Sequence, residues 1–254
     1  MSLLQQINSR LEVNELVNEP YSNVLGYPKC LQDELENRVR ELKSVGVKGI
    51  IFEGSSMIGK LNILGKGCVS VVVKAVLNER TVALKIRRLD ADRESMEREA
   101  SFLNIANSVD VGPKLVAMSK NFLVMQLADG DKMVDWIKHD LEERQVRSVV
   151  LQVLEQCFRL DGIGLDHGEL SNLNKHVIIG ENVTIIDFES ASIQRRVANV
   201  TAAAQCLFIG SAIARKVRNV LKIRSTDAII HALKKYKNDV SKENFESLVS
   251  VLEL

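Results

Sequence analysis

The stretch Leu165–Asn174, LDHGELSNLN, and shortly after it Val183–Ser192, VTIIDFESAS, decide how the chain reads. Glu169 and Asn174 set a carboxylate and an amide five residues apart, and Asp187 ends an apolar run 18 residues beyond Glu169. HVIIG (176–180) and VTIIDF (183–188) read as two short strands joined by a Gly-Glu-Asn turn, since β-branched runs bounded by turn residues pair readily. Around them, from Gly130 to the C-terminus, the apolar spacing is helical.

Upstream the texture differs. VKGIIFEG, KLNILGKG, CVSVVVKAVL and RTVALKIRR, between Val47 and Arg88, are β-branched runs broken by Gly or by an Asn-Glu turn and predict an antiparallel meander. Residues 93–106 return to helix with Met96, Ala100 and Leu103 on one stripe, and KLVAMS and NFLVMQL predict two further strands. Before Val47, two prolines bracket PYSNVLGYP, and Leu31, Leu35, Val39, Leu42 and Val45 trace a helical face ended by Gly46. The expected plan is α+β and bilobal: a helical extension (1–46), a β-rich lobe (47–127) and a short helical lobe (128–254).

Three further motifs precede the opening pair. LGKGCVS places Gly65 and Gly67 between strands, where glycine lets backbone approach a phosphate closely. VALK puts Lys85 on a strand, and REASFL offers Glu99 on the next helix as its partner, with Glu97 second. In order, these resemble the protein-kinase set of glycine-rich loop, strand lysine, helix glutamate, catalytic loop and D-F-G. More closely, LDHGELSNLN and IIDFESAS are similar to the HGDL…N and IDFG of RIO-type and KEOPS-complex kinases, and the chain resembles an archaeal set of predicted serine/threonine kinases. The resemblance covers roughly residues 48–210.

It implies a protein-kinase-like fold and an ATP- and Mg²⁺-dependent serine/threonine phosphotransferase, or an ATPase switch, with the nucleotide between the lobes. Gly65, Gly67 and Ser70, at the third glycine position, would cover the phosphates. Lys85, oriented by Glu99, would bind them. Met125 falls at the gatekeeper position, and Gln126 to Ala128 would form the hinge for adenine. Asn174 and Asp187 would hold Mg²⁺, a cation that prefers oxygen ligands. Glu169 would take the place of the catalytic aspartate, and Asn199 falls near a position that anchors the loop.

Departures accompany the likeness. Glu169 is a methylene longer than Asp, Glu189 replaces the glycine of D-F-G, and no proline follows Pro113, so no A-P-E element exists. Glu169, Ser70 and Glu189 favour the alternative of a degenerate kinase fold acting as a binding module or scaffold for a protein or ribonucleoprotein complex, and the intact Lys85, Asn174 and Asp187 count against it. A competing phosphate motif, Gly54–Leu61 (GSSMIGKL), fits G-x-x-x-x-G-K, but Leu61 stands where Ser or Thr is needed and strand texture follows. Plainer readings also stand. The two glycines serve a hairpin, Lys85 and Glu99 make a surface pair, and His167 braces the loop. Asp166 is the catalytic carboxylate if the register slips, and Arg195 and Arg196 either meet a substrate phosphate or begin a solvated helix.

Composition bounds the rest. The 254 residues carry 34 Lys+Arg and 33 Asp+Glu, for a net charge of +1. Four separated cysteines (Cys30, Cys68, Cys157, Cys206) suggest neither a disulfide framework nor a zinc site, and the N-terminus shows no signal peptide, so a cytoplasmic location is expected. Val197–Ala214 carries no charged side chain but includes Asn199, Thr201 and Gln205, which predicts a buried helix and no membrane span. The near-neutral total hides residues 195–237, with ten bases and one acid. That stretch is either a solvated helix face or a dock for RNA or an acidic partner.

Overall fold

The structure, a computed structural model, describes residues 10–29, 31–223 and 225–254. Cys30 and Arg224 lie outside the described residues, as does the N-terminal stretch read for a signal peptide. The chain is α+β and divides into two compact units. One takes the described residues up to Ser101 and Lys114–Leu127; the other takes Phe102–Pro113 and Ala128–Leu254.

The first unit is built on an antiparallel sheet. It contains β1 (Leu11–Glu12), β2 (Val47–Ile51), β5 (Gly65–Lys66), β6 (Ser70–Leu77), β7 (Arg80–Arg87), β8 (Leu115–Met118) and β9 (Phe122–Gln126). The order is β1-β2-β6-β7-β9-β8, with β5 also on β6. Asn78 and Glu79, both at positive φ, make the two-residue turn between β6 and β7, the backbone that matches strand twist. Period-two alternation sends Val71, Val73, Leu84, Ile86, Phe122 and Val124 into one core. It turns the cross-strand row Val72–Lys85–Leu123 to the opposite face.

Two expectations change here. The meander is interrupted, because β3 (Ser56–Ile58) and β4 (Leu61–Ile63) form a separate hairpin and β2 pairs directly with β6. That hairpin also removes the P-loop reading of Gly54–Leu61. Lys60 sits exposed at its turn beside Gly59 (φ +58°), and a strand follows where a phosphate-binding loop requires a helix.

The segment before Val47 is only partly helical. Leu11–Glu12 pairs with β2, a 3₁₀ turn spans Val13–Val17, and helices α1 (Ser22–Leu25) and α2 (Gln32–Ser44) follow. Leu35, Val39 and Leu42 of α2 are buried in the same core as the sheet, whereas Leu31 caps the helix and stays exposed. The same α2 face carries Arg38, which is completely buried. Its Nη1 donates to the carbonyls of Leu25 and Arg87 at 2.8 Å each, and Nη2 reaches Asn121 Oδ1 at 3.3 Å. Asn121 in turn donates through its backbone N and Nδ2 to Glu41 at 2.7 Å. These bonds fix α2 to the end of β7 and the start of β9.

The second unit is mainly helical. α3 (Glu97–Asn107) leads into it, and Met133–Trp136 (α4) and the long α5 (Glu143–Gly162) follow. A small sheet joins β10 (Asp131–Lys132), β11 (Val177–Ile179) and β12 (Val183–Ile185), with the one-turn helix α6 (Leu173–His176) before β11. The remaining helices are α7 (Asn199–Phe208), α8 (Ala212–Val220), α9 (Asp227–Asn238) and α10 (Lys242–Val251). Val197–Ala214 falls across α7 and α8, which meet at 72°. Val200, Ala203, Ala204, Leu207 and Phe208 are buried, which accounts for the missing charge. Among the described residues no single helix is long and apolar enough to cross a membrane.

Replacing Arg38 by Met leaves the buried Leu25 carbonyl and the part-buried Arg87 carbonyl without this donor. The expected loss is about 3 kcal/mol of unfolding free energy, read by urea denaturation; a loss below about 1 kcal/mol would show that Arg38 does not fix α2 to the sheet.

Candidate functional site

In the first unit, β5 and β6 form a hairpin with Gly65 opposite Val72, closed by a Gly67 N–H···O=C Ser70 bond of 2.8 Å. Ser70 is buried at the start of β6. A Cβ on Gly67 would meet only Ser70 O, at 3.8 Å, so packing does not require glycine there. Arg88 holds the tip by donating to Gly67 O at 2.7 Å, and the cations of Arg88 and Lys66 lie over the Tyr27 ring.

Lys85, on central strand β7, meets Glu99 of α3 at 2.6 Å, and each is only 4% exposed. Glu97 lies on the exposed side of the helix. The pair is therefore buried, not a surface one. At the end of β9, Met125 is half-buried and Gln126 exposed, with the Gln126 amide committed to Lys114 O at 2.8 Å. Ala128 is half-buried at the start of the second unit's segment.

In the second unit, Leu165–Asn174 is pinned from below. Asn199 accepts from His167 N at 2.8 Å and donates through Nδ2 to Leu165 O (2.7 Å) and Asp161 Oδ1 (2.8 Å). Asp161 also accepts from the Asn199 and Val200 amides and from Tyr236 Oη. Burial raises the Asp161 carboxyl above its ordinary value despite these donors, and it raises the Tyr236 phenol as well. Asn199 thus takes the anchoring place expected of it, on an aspartate that no motif marked.

His167 is completely buried, and its Nε2 lies 3.1 Å from Ile186 O, which makes Nε2 the protonated nitrogen. Burial brings its imidazole down to about 4, so it is a neutral brace between the loop and the segment that runs from β12 to Asp187. Asp166 is bridged to Ser192 by two backbone bonds; its Oδ2 accepts from Arg195 Nε at 2.9 Å and its Oδ1 from Ala198 N at 3.2 Å. A carboxylate so occupied is structural, which removes the shifted-register reading. Arg195 also donates to Ser190 O, and Arg196 to Lys237 O, so both tie the segment before α7 to its neighbours and neither begins a helix.

Glu169 projects from this loop with its side chain 42% exposed. Asn174 is half-buried in α6. Asp187 follows β12 at φ +72°, heading the 3₁₀ turn Phe188–Ser190 that includes Glu189. One ligand atom each from Glu169, His176 and Asp187 falls within 4.8 Å of the others. The carboxylates of Glu169 and Asp187 form an oxygen-rich locus that fits a hard divalent ion. His176 had no motif to flag it; its one sequence signal is its place two residues beyond Asn174.

The fold and this order of residues define a kinase-like α+β protein. A family model described as RIO domain matches residues 52–205, more than half of the chain, and the chain belongs to that family of atypical protein kinases and ATPases. Over 115 residues the chain is also 29% identical to an uncharacterized protein of Methanocaldococcus jannaschii, a stretch covering 44% of this chain and 98% of that protein.

The loop's backbone is testable through its glycines. Gly168 has φ +90°, and a Cβ there would lie 2.4 Å from Arg195 Nη2 and 2.8 Å from Ser190 O; Gly164, at φ +72°, has nothing within 4 Å. Gly164→Ala should cost about 1 kcal/mol for the backbone alone, and Gly168→Ala at least about 2 kcal/mol more from the clash. Equal denaturation midpoints for the two variants would contradict the crowding.

Proposed function

We propose that this chain binds ATP with Mg²⁺ and passes its γ-phosphoryl group to a serine or threonine hydroxyl, or to water. The observation that carries this reading is the buried Lys85–Glu99 pair at 2.6 Å. Removing two charges from water costs several kcal/mol per ion, so such a pair is a poor device for stability alone. An ammonium held by a carboxylate presents a fixed positive point to phosphate oxygens.

On this reading Gly65, Gly67 and Ser70 line the phosphates, and Met125, Gln126 and Ala128 border the base. With the Gln126 backbone N–H already bonded to Lys114 O, the remaining backbone groups of Gln126 to Ala128 supply the contacts to the base. Asn174 and Asp187 hold Mg²⁺, which when bound offsets the negative charge on the phosphates. Glu169 orients the acceptor and takes its proton as the bond from the γ-phosphorus to the ADP oxygen breaks and the bond to the acceptor oxygen forms. His167, neutral and committed to Ile186 O, holds the loop and moves no proton.

The test is an ATP-induced thermal shift with and without Mg²⁺, alongside phosphate release, each variant against its own ligand-free melting temperature. Wild type and Lys60→Met should show a Mg²⁺-dependent rise of several degrees, whereas Lys85→Met and Asp187→Ala should lose it. Loss in Lys60→Met alone would overturn the assignment. A shift without phosphate release would leave the second reading, a nucleotide-binding scaffold, which the Glu169 and Glu189 departures favour.

For a partner we propose an anionic one, RNA or a ribonucleoprotein, docked by the basic side chains of α8 and α9, in a chain working in the cytoplasm. Arg215, Lys234, Lys235 and Lys237 are exposed, and among the described residues none of the four is in an ion pair. Binding to a generic RNA should then fall about tenfold or more between 50 and 200 mM salt. Affinity unchanged by salt would sink the dock.

A further inference from the structure

We infer that His176 is a metal ligand. With Glu169 and Asp187 it would form a site that prefers a first-row divalent transition ion, Mn²⁺ among them, over Mg²⁺. The inference rests on the proposed ATP reading for its part in phosphoryl transfer, since Asp187 and Glu169 are shared; Glu169 gives one carboxylate oxygen to the ion and keeps the other for the acceptor's proton.

His176 is 6% exposed, and its Nδ1 is buried with no hydrogen-bond partner among the described residues. Its Nε2 faces Glu169 Oε2 at 3.6 Å, too long for a hydrogen bond. Nδ1 points away from Glu169, so the nitrogen that can share an ion with that carboxylate is Nε2, for which no hydrogen bond is seen among the described residues. Backbone fixes the placement: α6 is a single turn, and Ile186 N donates to His176 O at 2.9 Å, beside the strand end that carries Asp187. The His167 ring lies 5.5 Å away at 68°, with its Nε2 committed to Ile186 O, so that nitrogen does not compete as a ligand.

Two ligands of one ion at about 2.0–2.2 Å can stand up to about 4.4 Å apart. The three ligand atoms lie within 4.8 Å, with Glu169 and His176 already 3.6 Å apart, so the approach still needed is at most about 0.4 Å and lies at Asp187. One nitrogen with two carboxylate oxygens suits transition ions. Mg²⁺ demands oxygen and keeps its water, and gains little from imidazole.

The test uses Mn²⁺ alone on the full chain without nucleotide, with the bound fraction read from the loss of the free Mn²⁺ EPR signal and Mg²⁺ affinity read by competition. Wild type should bind Mn²⁺ more tightly than Mg²⁺. His176→Leu should weaken Mn²⁺ binding by about tenfold or more, with Mg²⁺ changed by less than about threefold. His176→Gln, which offers an amide oxygen, should lower the Mn²⁺/Mg²⁺ preference and decides the matter if the leucine variant does not fold. Mn²⁺ affinity equal to wild type in the folded variants, or no preference for Mn²⁺ in wild type, overturns the inference. A wild-type Mg²⁺–ATP thermal shift measured alongside separates the cases. Its absence removes the nucleotide reading, while its presence with an unchanged Mn²⁺ affinity removes the histidine ligand alone.

Discussion

The Lys85–Glu99 ion pair is the constraint around which the first unit is arranged. An ammonium and a carboxylate, each 4% exposed, meet at 2.6 Å on the sheet face opposite the aliphatic core. Such a pair adds little to stability compared with a well-packed apolar substitute. Its position follows from the strand period: Leu84 and Ile86 take the core side, so Lys85 must take the other. The helix period does the same for its partner, because Glu99 shares a face with Met96, Ala100 and Leu103 while Glu97 does not.

The second unit holds its loop by a different device. Asn199 uses its amide in both senses, accepting from His167 N and donating to Leu165 O and Asp161. Neutral His167 then ties the same loop to Ile186, between β12 and Asp187. Glu169 and Asp187 therefore sit on segments fixed by buried bonds, while the Glu169 side chain itself remains partly open to solvent. Fixed segments with one adjustable side chain suit a site that must accept a ligand.

Much of this was legible in the sequence wherever periodicity or a spaced motif carried it. The strands from Val47 to Arg87, the helix under Glu99, the hairpin before Asp187 and the buried, charge-free run near Asn199 all lie where the residues indicated. What escaped reading depends on partners distant in sequence. Arg38 looks like one more arginine on an amphipathic helix until Arg87 and Asn121 arrive beside it, and Asp161 looks like a solvated helix end until Asn199 and Tyr236 surround it. The two-residue strand Leu11–Glu12 is too short to show a period, and Leu31 fits the helical stripe yet precedes the helix as its cap. Asp166 seemed available for chemistry because its bonds to Ser192, Arg195 and Ala198 form only in the folded chain.

The central claim is that the buried pair exists for a phosphate ligand and not for stability. The most direct measurement replaces both partners together, Lys85→Met with Glu99→Leu, and determines unfolding free energy and ATP affinity on the same protein. The account predicts stability within about 1 kcal/mol of wild type or above it, with ATP affinity reduced by two orders of magnitude or more. A double variant that loses several kcal/mol of stability yet binds ATP as wild type does would contradict it.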